Sequence, residues 1–445
     1  MMNTITKNSA LALALAAMSL SACDNKGMEM PAEPEAPAVE AEVSQEVIYQ
    51  ANPRFFGTNE CLKALAGEID RIASMGCDVL WVMPVQQEGE LNAIGSPYCI
   101  SDYKSVNSRY GTMADFRALV DKAHGAGMRV MLDWVANHTS WDNVWITAHP
   151  DYYQRDAEGN IMQASTWSDV AQLDMSNTAT QDAMIDAMTY WVEETGIDGF
   201  RCDYADGPGH QFWIRAIAAL REVNPALEML AESADTGFYA DGFDMVYDWQ
   251  FAPAMSKLFT GGKSADFFSQ AASTWSAVPE GSRLLRYTFN HDYAAENSVS
   301  QTYGSPDAIP AAYVLTAMLH GTPMIYSSMD AEGVSGTLSF FNYAPLEWSA
   351  SLGDTYRAIN QAYRATAEVR RGQLATYDAT GAVVFTRSTP EEKLLVMVNT
   401  TAQEQTVKTP ISLAGAEMTD LIGGSAVTPG VTVTLQPYGY IIYGK

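Results

Sequence analysis

Gly199-Phe200-Arg201-Cys202-Asp203 is the stretch on which the reading of this chain turns. A helix-like run from Met184 to Thr195 precedes it, followed by a breaker at Gly196 and a polar turn at Asp198. Within the five residues apolar and charged side chains alternate, which predicts a short strand carrying Arg201 and Asp203 on one face. A carboxylate ending a buried strand is costly to desolvate unless a cation answers it. Two readings are open at this point: an ion pair that belongs to a core, or a carboxylate held charged for chemistry.

The surrounding chain repeats one unit, a short apolar strand, a loop and an amphipathic helix. Candidate strands are Val47–Gln50, Val79–Met83, Arg129–Asp133, Gly199–Asp203, Met229–Glu232, Asp244–Tyr247, Arg286–Asn290 and Met324–Ser327. Helical patterns lie between them, among them Leu62–Met75, Thr112–Ala126, Gln211–Val223 and Ala308–His320. Strands that alternate with helices imply a parallel sheet, because parallel neighbours need a crossover. Eight beats over this length predict a closed (β/α)₈ TIM barrel, spanning residues 47–367. No Gly-x-Gly-x-x-Gly follows the first strand, which counts against dinucleotide binding.

The connection from His138 to Thr178, after the third strand, is longer than the others and holds Trp141, Trp145, Tyr152, Tyr153 and Trp167. It reads as a short insertion, about residues 139–178, whose aromatic side chains either wall a binding cleft or form the loop's own small core. From residue 368 the rhythm changes to short β patterns, Ala382–Arg387, Lys393–Asn399, Val431–Gln436 and Gly439–Tyr443. These predict a small C-terminal antiparallel β domain, 368–445.

With 445 residues and 47% hydrophobic content, the chain has length for one large and one small domain. Its formal charge of -27 argues against a nucleic-acid partner, since phosphates are repelled. Residues 1–23 read as a targeting segment, with Lys7 as its positive start and Ala10 to Leu20 as its apolar run. Leu20-Ser21-Ala22-Cys23 looks like a lipobox, which makes Cys23 a lipidated N-terminus and predicts export with a lipid anchor in a bacterial membrane. A plain signal cut after Ala22 is the alternative. Residues 24–46, rich in Pro, Ala and Glu, read as a disordered spacer. Of the remaining cysteines, Cys77 and Cys202 sit in apolar runs and read as buried thiols, while Cys61 and Cys99 lie in loop-like sequence and are candidates for a disulfide.

Catalytic groups of this barrel architecture project from the C-terminal ends of strands. Those ends carry Asp133, Asp203, Glu232 and, just past the seventh strand, Asp292, with Asn137-His138 and Asn290-His291 beside them. Several acids and two histidines at one rim suit an oxocarbenium-like transition state, which needs one ionised carboxylate and one protonated acid. On this reading Arg201 keeps Asp203 ionised, and neighbouring negative charge raises the pKa of Glu232. Asp133 either touches substrate or orients Arg201. Trp134 and Trp191 are expected in the core.

These residues, in this order, resemble the short blocks of the α-amylase family, glycoside hydrolase family 13. Asp133…Asn137-His138 is similar to the first block, Gly199–Asp203 to the second, Leu230-Ala231-Glu232 to the third and Asn290-His291-Asp292 to the fourth. Gln172-Leu173-Asp174 resembles the extra block of the insertion, and Gly321 to Tyr326 the family's last strand. The resemblance implies a retaining hydrolase of α-1,4-glucans such as starch, glycogen or maltodextrins. Asp203 then falls at the nucleophile, Glu232 at the general acid/base and Asp292 at the carboxylate that grips hydroxyls. Tyr98 falls at a sugar-stacking tyrosine, while His138, Arg201 and His291 bind substrate. It also makes Asn137 a candidate calcium ligand, with Asp142 and Asp169 as further oxygen donors. No cofactor is implied for the chemistry. Many α-amylases continue the second block with a Lys-His pair; here Tyr204-Ala205-Asp206-Gly207 follow instead, and Ser327-Ser328-Met329-Asp330 replace the usual Gly-Gln-Glu after the last strand. A maltodextrin-specific glucosidase, a cyclomaltodextrinase or a transglycosylase shares the same catalytic residues. A glycan-capturing lipoprotein without catalysis is the reading from another class, and the three acids count against it.

Overall fold

The computed structural model describes residues 45–445. The targeting segment, Cys23 and nearly all of the spacer lie outside the described residues. Eight parallel strands close into a barrel: β1 (Ile48–Ala51), β2 (Val79–Val82), β3 (Arg129–Val135), β4 (Gly199–Asp203), β5 (Glu228–Ala231), β6 (Met245–Tyr247), β7 (Arg283–Tyr287) and β8 (Thr322–Tyr326). Neighbours around the ring follow chain order, and β1 closes it by pairing with both β2 and β8. This is the expected TIM barrel.

Alternation along each strand separates two apolar layers. Ile48, Trp81, Met131, Leu230, Tyr247 and Met324 fill the barrel interior. Leu132, Trp134, Phe200 and Cys202 face outward and pack with helix residues such as Phe116, Trp191 and Trp213. Trp134 and Trp191 are fully buried, as expected. In β4 the charged pair is therefore turned inward, where the Arg201 guanidinium lies 5.2 Å from the Trp81 ring centre.

The helices begin and end where local chemistry directs. Thr112 and Asp115 exchange hydrogen bonds in a capping box at the head of helix Met113–Gly125. Helix Thr178–Thr195 stops at Gly196, whose φ of 68° suits a residue without Cβ. The helix expected from Leu62 to Met75 is instead two, Cys61–Gly67 and Ile69–Ser74, separated at Glu68. Two strands also start earlier than the apolar pattern indicates. β7 begins at Arg283 because that side chain is held at the lower rim by Glu228 at 2.6 Å, and β8 begins at Thr322.

That lower rim is an ionic knot. Arg129 reaches Glu46 at 2.5 Å, Arg283 also pairs with Glu46, and both arginines pair with Glu228. Two residues later the chain starts β1, so it enters the barrel at the pole opposite the C-terminal strand ends.

The insertion forms a three-stranded antiparallel sheet, with His138–Ser140 and Gln163–Ala164 flanking Trp167–Gln172. Most of its aromatic residues serve its own packing: Tyr152 and Tyr153 are buried, Trp145 lies 5.6 Å from Tyr152, and Trp141 donates to the Ser168 carbonyl at 2.9 Å. Trp167 stays 38% exposed. At the C-terminal end a sheet with the order Gln373–Tyr377, Ala382–Ser388, Lys393–Asn399, Tyr440–Gly444, Met418–Asp420, Ala426–Val427 is antiparallel throughout.

Cys61, Cys77, Cys99 and Cys202 are all free and buried. Cys61 and Cys99, the candidates for a disulfide, are therefore not joined, and each of these two thiols has its own acceptor. Cys61 donates to the Gly57 carbonyl at 3.1 Å, and Cys99 to Asp169 Oδ2 at 3.1 Å. Among the described residues no helix is long and apolar enough to cross a membrane.

Candidate active site

Strand register assembles the site. Asp133 in β3 lies beside Arg201 in β4, and Arg201 in turn lies beside Leu230 in β5, which brings Glu232 to the same rim just past its strand. Arg201 has no solvent exposure and serves three carboxylates. Its Nη1 donates to Asp133 Oδ1 at 2.8 Å and to Asp203 Oδ1 at 3.0 Å, and its Nη2 stands 2.5 Å from Glu232 Oε1. Its Nε donates to the Tyr247 hydroxyl at 3.2 Å.

One guanidinium cannot offset three buried carboxylates. Burial pushes the Asp203 carboxyl up to about 7, with Arg201 opposing and the charges of Asp133 and Asp292 adding to the rise. Arg201, expected to keep Asp203 ionised, does act in that direction, but burial outweighs it. Glu232 is raised to about 8, as expected in direction, but burial is the first cause and the charges of Asp203 and Asp292 come after it. Asp133, buried among donors, is raised to about 6. Asp292 is also raised, through burial.

Asp133 orients Arg201. Its second oxygen accepts from Trp81 Nε1 at 3.0 Å and from the Tyr98 hydroxyl at 3.1 Å, so both its oxygens are engaged within the barrel. Tyr98 lies nearly parallel to the His291 ring, 5.4 Å between centres, with its hydroxyl 2.7 Å from Nε2. Gln50 meets His291 Nδ1 at 2.7 Å from the end of β1. One proton order satisfies the chain: Gln50 donates to Nδ1, Nε2–H donates to Tyr98, and Tyr98 donates to Asp133. This requires a neutral imidazole, and burial with Arg201 nearby lowers the His291 pKa well below its ordinary value. Burial likewise takes His138 down to about 4.

A cleft of about 510 Å³ brings the predicted residues together: Tyr98, His138, Asp203, Glu232, His291 and Asp292 all line it. Arg201 lies beneath its floor. Asn137 does not line it; its Oδ1 accepts from Gln172 Nε2 at 3.0 Å. The other oxygen donors are also committed, Asp142 to the backbone N–H groups of Glu90 and Leu91 and Asp169 to Cys99. Among the described residues no three His, Cys, Asp or Glu side chains gather as a metal site of those ligands needs.

The cleft also holds residues that the sequence pattern passed over. Trp249 lies two positions past the end of β6, where the strand-end rule applied to every strand would have found it. Phe340 and Phe341 come from the long loop after β8 and carry no motif. Tyr204 donates its backbone N–H to Glu232 Oε2 at 2.6 Å, a contact that no side-chain pattern announces.

Residues 50–337 match the model of the alpha amylase catalytic domain, and residues 374–442 that of the maltogenic amylase C-terminal domain. The chain is 23% identical over 427 residues to a cyclomaltodextrinase from Geobacillus thermopakistaniensis, a match covering 87% of this chain and 70% of that protein. It is 24% identical over 372 residues to alpha-amylase 2 of Dictyoglomus thermophilum, covering 77% of this chain and 64% of the relative's length. Among solved structures it resembles an alpha-amylase from Lactobacillus plantarum with a TM-score of 0.77 and 27% identity, over 90% of this chain and 99% of that one.

Proposed function

The chain belongs to the α-amylase family of glycoside hydrolases, and from that premise we propose that it cleaves α-1,4-glucosidic bonds of maltodextrins, linear or cyclic, with retention of configuration. The observation that carries this reading is the set Asp203, Glu232 and Asp292 in one cleft, with Arg201 joining the first two from below. Similarity to a cyclomaltodextrinase and to a maltogenic amylase C-terminal domain supports short or cyclic glucans over polymeric starch.

In the first step an Asp203 oxygen attacks the anomeric carbon as the glycosidic C–O bond breaks, and Glu232 gives its proton to the departing oxygen. A glycosyl ester on Asp203 results. Glu232, now a carboxylate, takes a proton from water as the water oxygen attacks the same carbon, and Asp203 leaves. The raised pKa of Glu232 suits the first role, because the group carries its proton near neutral pH. Asp292, Tyr98 and the neutral His138 and His291 surround the sugar being transferred and bind its hydroxyls. No metal or cofactor takes part in these steps.

Incubation with maltoheptaose and with β-cyclodextrin, with products followed over time, tests the reading. Cleavage of both is expected, with loss of roughly 10⁴-fold or more in kcat for Asp203→Asn. No cleavage of either glucan, or equal rates for the variant, would overturn it.

A further inference from the structure

Tyr204 follows Asp203 directly and has a φ of 39°, a left-handed backbone uncommon for a residue with a side chain. Such a conformation is strained and persists only where its surroundings hold it. Here the Glu232 carboxylate takes its N–H, and Gly207 N donates to its carbonyl at 2.9 Å. The turn throws the ring out into the cleft, where it is 38% exposed.

Trp167, equally exposed, meets that ring edge-on at 5.2 Å and 81°. Trp167 also meets His138 at 5.6 Å. Two half-exposed rings at right angles make an aromatic corner. The space behind it is closed: a Cβ on Gly207 would lie 2.3 Å from Asn137 Oδ1 and 2.8 Å from the Tyr204 ring. Glycine at 207 and tyrosine at 204 are thus one arrangement, and Asp206 beside them lines the same cleft and accepts from Ser233 at 2.9 Å. These are the positions at which the chain departs from a Lys-His pair.

The corner borders Glu232 through the Tyr204 backbone and His138 through Trp167, whereas Tyr98, His291 and Asp292 form a cluster of their own. The oxygen that Glu232 protonates belongs to the departing sugar, so the corner flanks the departing side. We propose that Tyr204 and Trp167 form the binding site for the leaving-group glucose unit, taking its apolar C–H face against the rings. This deepens the proposed function and rests on it. A sugar held there also stands where water must attack the glycosyl ester, so the corner favours transfer to a second glucan.

Comparison of two substrates tests the site: maltotetraose, whose leaving group is a sugar, and α-maltosyl fluoride, whose leaving group is a single atom. For Tyr204→Ala, kcat/KM is expected to fall at least tenfold more on maltotetraose than on the fluoride, with the yield of transfer products falling several-fold. Trp167→Ala, which leaves the Tyr204 side chain in place, is expected to give the same split, and Tyr204→Phe to restore most of it. Circular dichroism melts verify that each variant is folded. Equal losses on both substrates for folded Tyr204→Ala and Trp167→Ala overturn the site while leaving the proposed function intact. A wild-type protein inactive on both substrates overturns the proposed function, and the site with it.

Discussion

Arg201 Nη1 donates to Asp133 Oδ1 at 2.8 Å across adjacent strands, and neither side chain has any solvent exposure. Asp133 touches Trp81, Tyr98 and Arg201 rather than the cleft, so it acts by fixing the guanidinium that serves Asp203 and Glu232. Replacing one member of a buried pair leaves the other poorly compensated. Asp133→Asn is expected to lose roughly 3 kcal/mol of stability in urea unfolding and to lower kcat while KM stays within a few-fold. A raised KM with unchanged kcat would place Asp133 among the substrate-binding residues instead.

The pH dependence of kcat/KM follows from the two raised carboxyls. Activity requires Asp203 ionised and Glu232 protonated, so it rises as pH passes the Asp203 titration, near about 7, and falls past that of Glu232, near about 8. A bell centred near neutral to mildly alkaline pH is expected in initial rates on maltoheptaose. An optimum near pH 4–5, where ordinary carboxyls titrate, contradicts it.

The contribution of Glu232 to stability falls with rising pH, as its contribution to activity does. A carboxyl raised by burial takes up a proton on folding, so its contribution favours the fold at low pH and is lost as pH rises from the ordinary glutamate value toward about 8. Glu232→Gln removes that loss while keeping the shape. The variant is expected to melt about 2 °C or more above the wild type at pH 8–9, with the difference shrinking at pH 5, although it is inactive. A variant that melts lower at pH 9 contradicts the burial argument.

Chelation offers a fourth measurement. Because one side-chain oxygen each of Asn137, Asp142 and Asp169 already accepts from a protein donor, 5–10 mM EDTA is expected to shift the melting temperature by less than about 1 °C and to leave hydrolysis unchanged. A drop of several degrees, reversed by added calcium, would show that a divalent ion stabilises this chain.

The barrel was legible because most of its strands are apolar runs followed by a helical pattern, and the acids of the cleft stand at strand ends. Boundaries were less legible where charge enters a strand. Arg283 and Arg286 break the apolar run of β7, yet the first is held by Glu46 and Glu228 at the rim and the second by Asp248 at 3.0 Å, so both belong to the strand. Neighbouring residues also suggested a simple Arg201–Asp203 pair. Its true load depends on Asp133 and Glu232, 68 and 31 positions away in the chain, and only strand register reveals it. Phe340 and Phe341 illustrate the remaining gap, since a loop residue enters a cleft by tertiary closure and leaves no periodic trace.

The ionic knot at the lower pole makes residue 46 a natural handle. Glu46 is clamped by two arginines at the face of the barrel turned away from the cleft, so a bead, a sensor surface or a fused partner attached ahead of it is held firmly and leaves the mouth of the enzyme open. Immobilised by that end, the protein presents its whole cleft to a passing glucan.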